Sequence, residues 1–141
     1  MKTSRRIYLV FAWLFVIGVV AQVFFAGMTV VAGRWPWANH VSLGHTLALP
    51  LLVMLITMYV GKLPGQMKRL TWLLFAVYVV QADVLIFMRA SAPVLSALHP
   101  VLALIDFALG FALARQATSI VRSGEPSPPL SCNRIPSSVI E

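Results

Sequence analysis

The chain has 141 residues, of which 60% are hydrophobic and 11% are charged. In soluble domains, about 45–50% of residues are hydrophobic and about 25% are charged. The net charge is +7, yet no basic run interleaved with aromatic residues is present, so nucleic-acid binding is not expected. No charged residue lies between Arg6 and Arg34 or between Arg34 and Lys62. Because about 20 apolar residues cross a bilayer, we predict an integral membrane protein.

The apolar segments predict four membrane-spanning helices. They are placed at about 7–28, 39–60, 70–88 and 93–114. Short connections between such helices are typical of an up-down-up-down bundle. The fold class predicted for residues 1–116 is therefore an all-α, four-helix transmembrane bundle in direct contact with the lipid bilayer.

The distribution of basic residues predicts the orientation of this bundle. Nine of the eleven Lys and Arg residues fall before the first span, between the second and third, or after the fourth. Only Arg34 and Arg89 fall on the other side. The positive-inside rule therefore places both termini in the cytoplasm.

The first two spans carry few polar residues. The apolar stretch from Ile7 to Met28 is longer than the core of a signal peptide, so we interpret it as a retained helix in which Gln22 is the only strongly polar residue. Asn39 is expected to cap the second helix. Pro50 lies inside that helix and should kink it.

The third and fourth spans contain the remaining polar candidates. The third has Gln81 and Asp83 two positions apart, on different faces of a helix. The fourth would be too short if it began at Pro100, so we place its start at Pro93 with a kink at Pro100. This choice puts His99 inside the membrane.

Residues 117–141 are predicted to form a cytoplasmic tail. They are rich in Pro and Ser, which is typical of segments that stay disordered unless a partner binds them. Cys132 is the only cysteine, so an internal disulfide is impossible. No internal repeat is evident in the sequence.

Four polar residues are expected at one depth near the outer face. Gln22, His45, Asp83 and His99 each lie about six residues, or roughly 9 Å, inside the outer end of their span. Ionisable groups inside a membrane usually face the interior of the bundle. This polar layer is the main functional signal in the sequence.

A b-type haem is the specific ligand that this layer suggests. Helices two and four lie on a diagonal of such a bundle, so His45 and His99 would face each other as axial ligands of the haem iron. Asp83 or Gln22 would orient one ring as a second shell. His40 is about 140° around the helix from His45 and is expected at the membrane interface.

Alternatives remain open for each of these residues. The histidines would serve equally as structural hydrogen-bonding groups that hold the helices together. Asp106 lies nearly on the same helical face as His99 and deeper in the membrane. It would either continue a proton path toward the histidine layer or stay protonated and bond to a neighbouring helix.

Three short motifs resemble a known family. They are A-Q-V-F-F-A-G in the first span, L-G-H-T-L-A-L in the second and A-L-H-P-V-L-A-L in the fourth. Over roughly residues 5–116 they resemble a family of small four-span bacterial membrane proteins, domain of unknown function 6220. The resemblance implies a bacterial cytoplasmic (inner) membrane and no assigned activity. It matches Gln22, Gly44, His45, His99 and Pro100, whereas Asp106 departs from the family's apolar fourth helix.

Two functions from different classes follow as hypotheses. The first is an electron-transfer module with a b-type haem between His45 and His99. The second is a non-catalytic accessory or assembly subunit that joins a larger membrane complex through its helices or the 117–141 tail. A transporter is less favoured because four spans leave little room for a pathway. No nucleophile elbow or full zinc ligand set supports hydrolase or zinc chemistry, and enzymatic activity stays undecided.

Overall fold

The computed structural model describes residues 1–88 and 90–123, and over these residues the chain is all-helical. The α-helices are α1 (Lys2–Val30), α2 (Trp37–Thr46), α3 (Ala48–Val60), α4 (Gly65–Val79), α5 (Leu85–Met88), α6 (Pro93–Ser96) and α7 (His99–Ser123), with a π-helical turn at Val80–Val84. They form four spans that are long and apolar enough to cross a membrane: Lys2–Val30, Trp37–Val60, Gly65–Met88 and Pro93–Ser123. The prediction of four apolar helices is confirmed for the described residues.

The two proline breaks lie where the sequence predicts them. In the second span, α2 ends at Thr46 and α3 begins at Ala48, because the ring of Pro50 leaves no N–H for the Thr46 carbonyl. In the fourth span, α6 ends at Ser96 and α7 begins at His99, next to Pro100. The fourth span does begin at Pro93, and it is broken rather than gently bent.

Two features of the helices differ from the predictions. The fourth span continues to Ser123, past the boundary predicted at residue 116, because Ala117 and Ile120 still pack into the bundle and are buried. The third span contains the π-helical turn, which the hydrophobic pattern does not predict. Residues 124–141, which include most of the predicted tail, lie outside the described residues.

The spans pack around a core at one end of the bundle. The first and third spans each pack against both the second and the fourth. Large side chains with no exposed surface fill the centre: Tyr8, Phe15, Leu51, Met54, Met58, Leu74 and Leu113. Tyr8 also forms a buried hydrogen bond with Thr71, with 2.7 Å between Oη and Oγ1.

The other end of the bundle is not packed in this way. Leu85 is buried, but no other described residue in the ranges 20–46 and 80–105 is. These ranges form the outer ends of all four spans in the predicted orientation. The side chains at this end are therefore less enclosed by neighbouring helices than those of the core.

Removal of the Tyr8 hydroxyl is expected to destabilise the packed end. In Tyr8→Phe, the Thr71 hydroxyl keeps its hydrogen bond to the Met67 carbonyl but loses the one with Tyr8, which costs about 1 kcal/mol of unfolding free energy. Thermal unfolding in detergent measures the loss. Tyr8→Phe combined with Thr71→Val should cost less than the sum of the two single changes, and strict additivity would show that the bond contributes nothing.

Candidate functional site

Two histidine rings meet at the unpacked end of the bundle. His40 lies in the first turns of α2, and His99 is the first residue of α7. Their ring centroids are 6.1 Å apart and their planes differ by 64°. His40 is held from its other side by Trp37, whose ring stacks on it with 4.5 Å between centroids. The second and fourth spans thus contribute one imidazole each to a common site.

Both imidazoles are oriented by a backbone carbonyl of the preceding span. The Nδ1–H of His40 donates to the Gln22 carbonyl over 3.1 Å, and the Nδ1–H of His99 donates to the Gln81 carbonyl over 3.2 Å. Since a carbonyl oxygen only accepts, these contacts assign the proton to Nδ1 in both rings. In the neutral form of each ring, Nε2 then carries the lone pair, and this is the form that binds a metal.

The two histidines occupy equivalent positions in an internal repeat of 59 residues, so the expectation that the sequence has no repeat is wrong. Each His follows its Gln by 18 positions, and the second pair lies 59 positions after the first. When the sequence is shifted by the same 59 positions, buried residues of the first two spans align with buried residues of the last two. The aligned pairs are Tyr8 with Met67, Ala12 with Thr71, Phe15 with Leu74, Val19 with Tyr78, Met54 with Leu113 and Met58 with Ala117. The site therefore lies between two similar helical hairpins.

His45 does not face His99, and the predicted pairing of these two residues is wrong in geometry. The His45 side chain is exposed, and its Nδ1–H donates to the Val41 carbonyl of its own helix over 2.9 Å. Residues five positions apart point about 140° from each other around a helix, so His40 and His45 cannot both face inward. The interfacial position expected for His40 stays a prediction.

His45 instead shares an outward cleft with Asp83. The cleft has a volume of about 500 Å³ and lies between the second span and the π-helical turn. Asp83 is exposed there and forms no hydrogen bond with His99. The hydrogen bond to a histidine ring that was predicted for Asp83 is made instead by the backbone carbonyl of Gln81.

Gln22 contributes its backbone rather than its side chain. Its amide group lies against Gly44, where an added Cβ would come 2.6 Å from Nε2. The Oε1 atoms of Gln22 and Gln81 are both buried and have no hydrogen-bond partner among the described residues. Each of the two glutamines therefore has a side-chain amide oxygen that accepts no hydrogen bond in the described part of the chain.

The π-helical turn explains why Gln81 can accept a side-chain proton. Such a turn inserts one residue into an α-helix, so one carbonyl drops out of the regular hydrogen-bond ladder. These turns are frequent at functional sites. Gln81 lies within Val80–Val84, and its carbonyl accepts from His99. The π-helical turn in the third span thus positions the His99 side chain of the fourth span.

Asp106 is buried without a partner. Only 1% of its surface is exposed, and its Oδ1 has no hydrogen-bond partner in the described part of the chain. The predicted bond from a protonated Asp106 to a neighbouring helix is therefore not formed there. Nearby, Tyr78 donates to the Gly44 carbonyl over 2.7 Å instead. A role for Asp106 in proton transfer stays a prediction.

The histidine pair has the spacing of a linear nitrogen–metal–nitrogen unit. With metal–nitrogen bonds of about 2.0 Å and about 1.1 Å from each nitrogen to its ring centre, the centroids would lie roughly 6 Å apart. The observed distance is 6.1 Å. The described residues hold no group of three or more His, Cys, Asp or Glu side chains that could bind a metal. The two histidines could thus supply two ligands to a metal ion.

Residues 22–89 match the family of unknown function DUF6220, which confirms the resemblance to that family over this range. The match includes Gln22, His40, His45 and Gln81 and ends before His99. No match was found among curated proteins or among solved structures. The comparisons thus assign no activity, and the chemistry of the site is the remaining guide to function.

Proposed function

We propose that this chain is a small integral membrane protein that binds one b-type haem between His40 and His99 and transfers electrons through it. The observation that supports the proposal is the pair of imidazoles 6.1 Å apart, each of which uses Nδ1 for a backbone carbonyl and leaves Nε2 available. Bis-histidine ligation gives a six-coordinate iron suited to electron transfer rather than to binding of a substrate.

The unpacked end of the bundle supports this proposal independently. A porphyrin needs apolar space around the iron, and the outer ranges 20–46 and 80–105 lack a packed core. Spans two and four would provide the axial ligands, while spans one and three would contact the edges of the macrocycle. The absence of C-x-x-C-H in the sequence favours non-covalent binding.

An absorbance spectrum tests the haem proposal directly. The full chain, expressed in haem-replete cells and purified in mild detergent, should show a Soret band and, after dithionite reduction, a sharp α-band. A pyridine haemochrome assay should give about one haem per chain. A colourless protein that is folded by thermal unfolding analysis would contradict the proposal.

The proposed setting is a bacterial cytoplasmic membrane, with both termini inside and the spans running up, down, up and down. Contacts between chain segments support this order. Tyr8 and Thr71, near the starts of the first and third spans, bond to each other. Gln22, late in the first span, bonds to His40, early in the second. The clustering of Lys and Arg supports the orientation.

Cysteine labelling in whole cells checks the orientation. In a Cys132→Ser background, Ser91→Cys is expected to react with a membrane-impermeant maleimide in intact cells, because Ser91 is exposed in the predicted outer loop. Gln66→Cys, exposed at the start of α4, should react only after permeabilisation. The reverse pattern would place the histidine site on the cytoplasmic side.

A role as an accessory subunit is the second candidate, favoured by a polar surface on the outside of the bundle. Ser42, His45 and Thr46 of α2 and Asp83 of the π-helical turn are all exposed. Polar groups rarely face lipid, so a helix of a larger complex would be a suitable cover. Mild-detergent purification that yields a colourless chain with a stoichiometric membrane partner would favour this role over haem binding.

A further inference from the structure

A basic cleft lies between the first and fourth spans, at the opposite end of α7 from His99. It has a volume of about 410 Å³ and is lined by Trp13, Arg115, Thr118, Ser119, Arg122 and Ser123. Neither the histidine site nor the proposed haem uses these residues. The cleft lies at the end that carries most of the basic residues.

The cleft presents two guanidinium groups on one helical face. Arg115 and Arg122 are seven residues apart, or about two turns, and both are exposed. Neither forms an ion pair within the described residues, where the acidic residues are Asp83 and Asp106. The Ser119 hydroxyl, which has no hydrogen bond in the same part of the chain, is a further donor. This set of donors suits an anion with several oxygen atoms.

One wall of the cleft is fixed by a hydrogen-bonded tryptophan. The Nε1–H of Trp13 donates to the Thr118 hydroxyl over 3.3 Å, and that hydroxyl donates to the Ala114 carbonyl over 2.8 Å. The indole is therefore held in place. Its NH is already used, so the ring offers the cleft an apolar face.

An aromatic strip extends from this wall along the fourth span. Trp13 packs edge-to-face on Phe111 with 5.8 Å between centroids, and Phe111 stacks on Phe107 at 6.0 Å. The guanidinium carbon of Arg115 lies over the Phe111 ring, 5.9 Å from its centroid. The cationic cleft and the apolar strip are thus continuous.

We infer that this cleft binds the phosphate of an anionic phospholipid, whose acyl chain lies along the aromatic strip. Arginine pairs with phosphate oxygens through two parallel hydrogen bonds, and basic pockets between membrane helices on the cytoplasmic side recognise acidic headgroups. The amine of a zwitterionic lipid would be repelled by two guanidinium groups. Free phosphate has the same head chemistry but would not use the strip.

Lipid competition with the full-length protein tests the inference. The protein is reconstituted in vesicles of equimolar phosphatidylglycerol and phosphatidylcholine, and the lipids retained on it are counted by native mass spectrometry. Enrichment of phosphatidylglycerol is expected. Since one basic residue near a membrane surface is worth about 1 kcal/mol, Arg115→Gln/Arg122→Gln should reduce the enrichment by roughly 25-fold.

Matched variants separate a site from general surface charge. Lys62→Gln/Arg69→Gln removes two exposed charges from the same end of the bundle and should keep the enrichment. Arg115→Lys/Arg122→Lys keeps the charge but not the paired donors, so an intermediate enrichment is expected even if the Gln variant fails to fold. An equal loss in the control pair, or no loss in either Arg115/Arg122 variant, would overturn the inference. Displacement of the lipid by millimolar inorganic phosphate would assign the site to soluble phosphate instead.

Discussion

Replacement of His99 by alanine is expected to abolish the haem spectrum of the purified protein. The change removes one of the two proposed axial nitrogens. Loss of a residue that only hydrogen-bonds to a metal ligand already lowers metal affinity 10- to 100-fold. Loss of the ligand itself should therefore lower haem occupancy at least tenfold. His40→Ala should have the same effect, because Nδ1 of each ring bonds to a backbone carbonyl of the preceding span and Nε2 of each is left for the iron. Soret absorbance per chain at fixed protein concentration measures the loss.

His45→Ala is the matched control for these variants. It removes an imidazole from the same helix, but one whose side chain faces outward, so the spectrum should be retained. Loss of the spectrum in His45→Ala together with its retention in His40→Ala would restore the pairing suggested by the sequence. Retention in all three variants would exclude haem ligation by these histidines.

The second large effect is expected at Gly110, where the first and fourth spans are in close contact. A Cβ added there would lie 3.0 Å from Cδ1 of Phe15 and 3.4 Å from Cγ2 of Val16, and both side chains are buried. Gly110→Leu should therefore force the spans apart and cost about 3 kcal/mol of unfolding free energy. For a chain of this size, we expect Tm to fall by roughly 10 °C.

Ala108→Leu provides the comparison for Gly110→Leu. Ala108 is exposed on the same helix, so a larger side chain there meets lipid or detergent rather than the first span. Thermal unfolding followed by tryptophan fluorescence in detergent should show little change for Ala108→Leu. Similar losses of Tm in both variants would show that the contact with Phe15 does not account for the effect of Gly110→Leu.

The sequence predicts the spans well because the bilayer imposes a length and a composition on each of them. The breaks near Pro50 and Pro100 follow from proline chemistry alone. In contrast, the end of the fourth helix at Ser123 depends on tertiary burial of Ala117 and Ile120, which no local pattern reveals. The π-helical turn in the third span is likewise invisible in the hydrophobic pattern.

The choice between His40 and His45 shows where sequence reasoning failed. Depth was counted from an assumed helix start at Asn39, whereas α2 begins at Trp37 and the fourth span is broken before His99. Depth also says nothing about which way a side chain points. The equal spacing from Gln22 to His40 and from Gln81 to His99 was present in the sequence. This spacing indicates the two histidines that the structure brings together.

The repeat also makes departures from symmetry meaningful. Shifted by the same 59 positions, Leu47 of the first hairpin corresponds to Asp106 of the second, and both are buried. The position seven residues after His40 is thus an aliphatic leucine, whereas the equivalent position after His99 is an aspartic acid. The two halves of the repeat therefore differ at this position, and a proton path beside the histidine pair would have a carboxyl group in one half only.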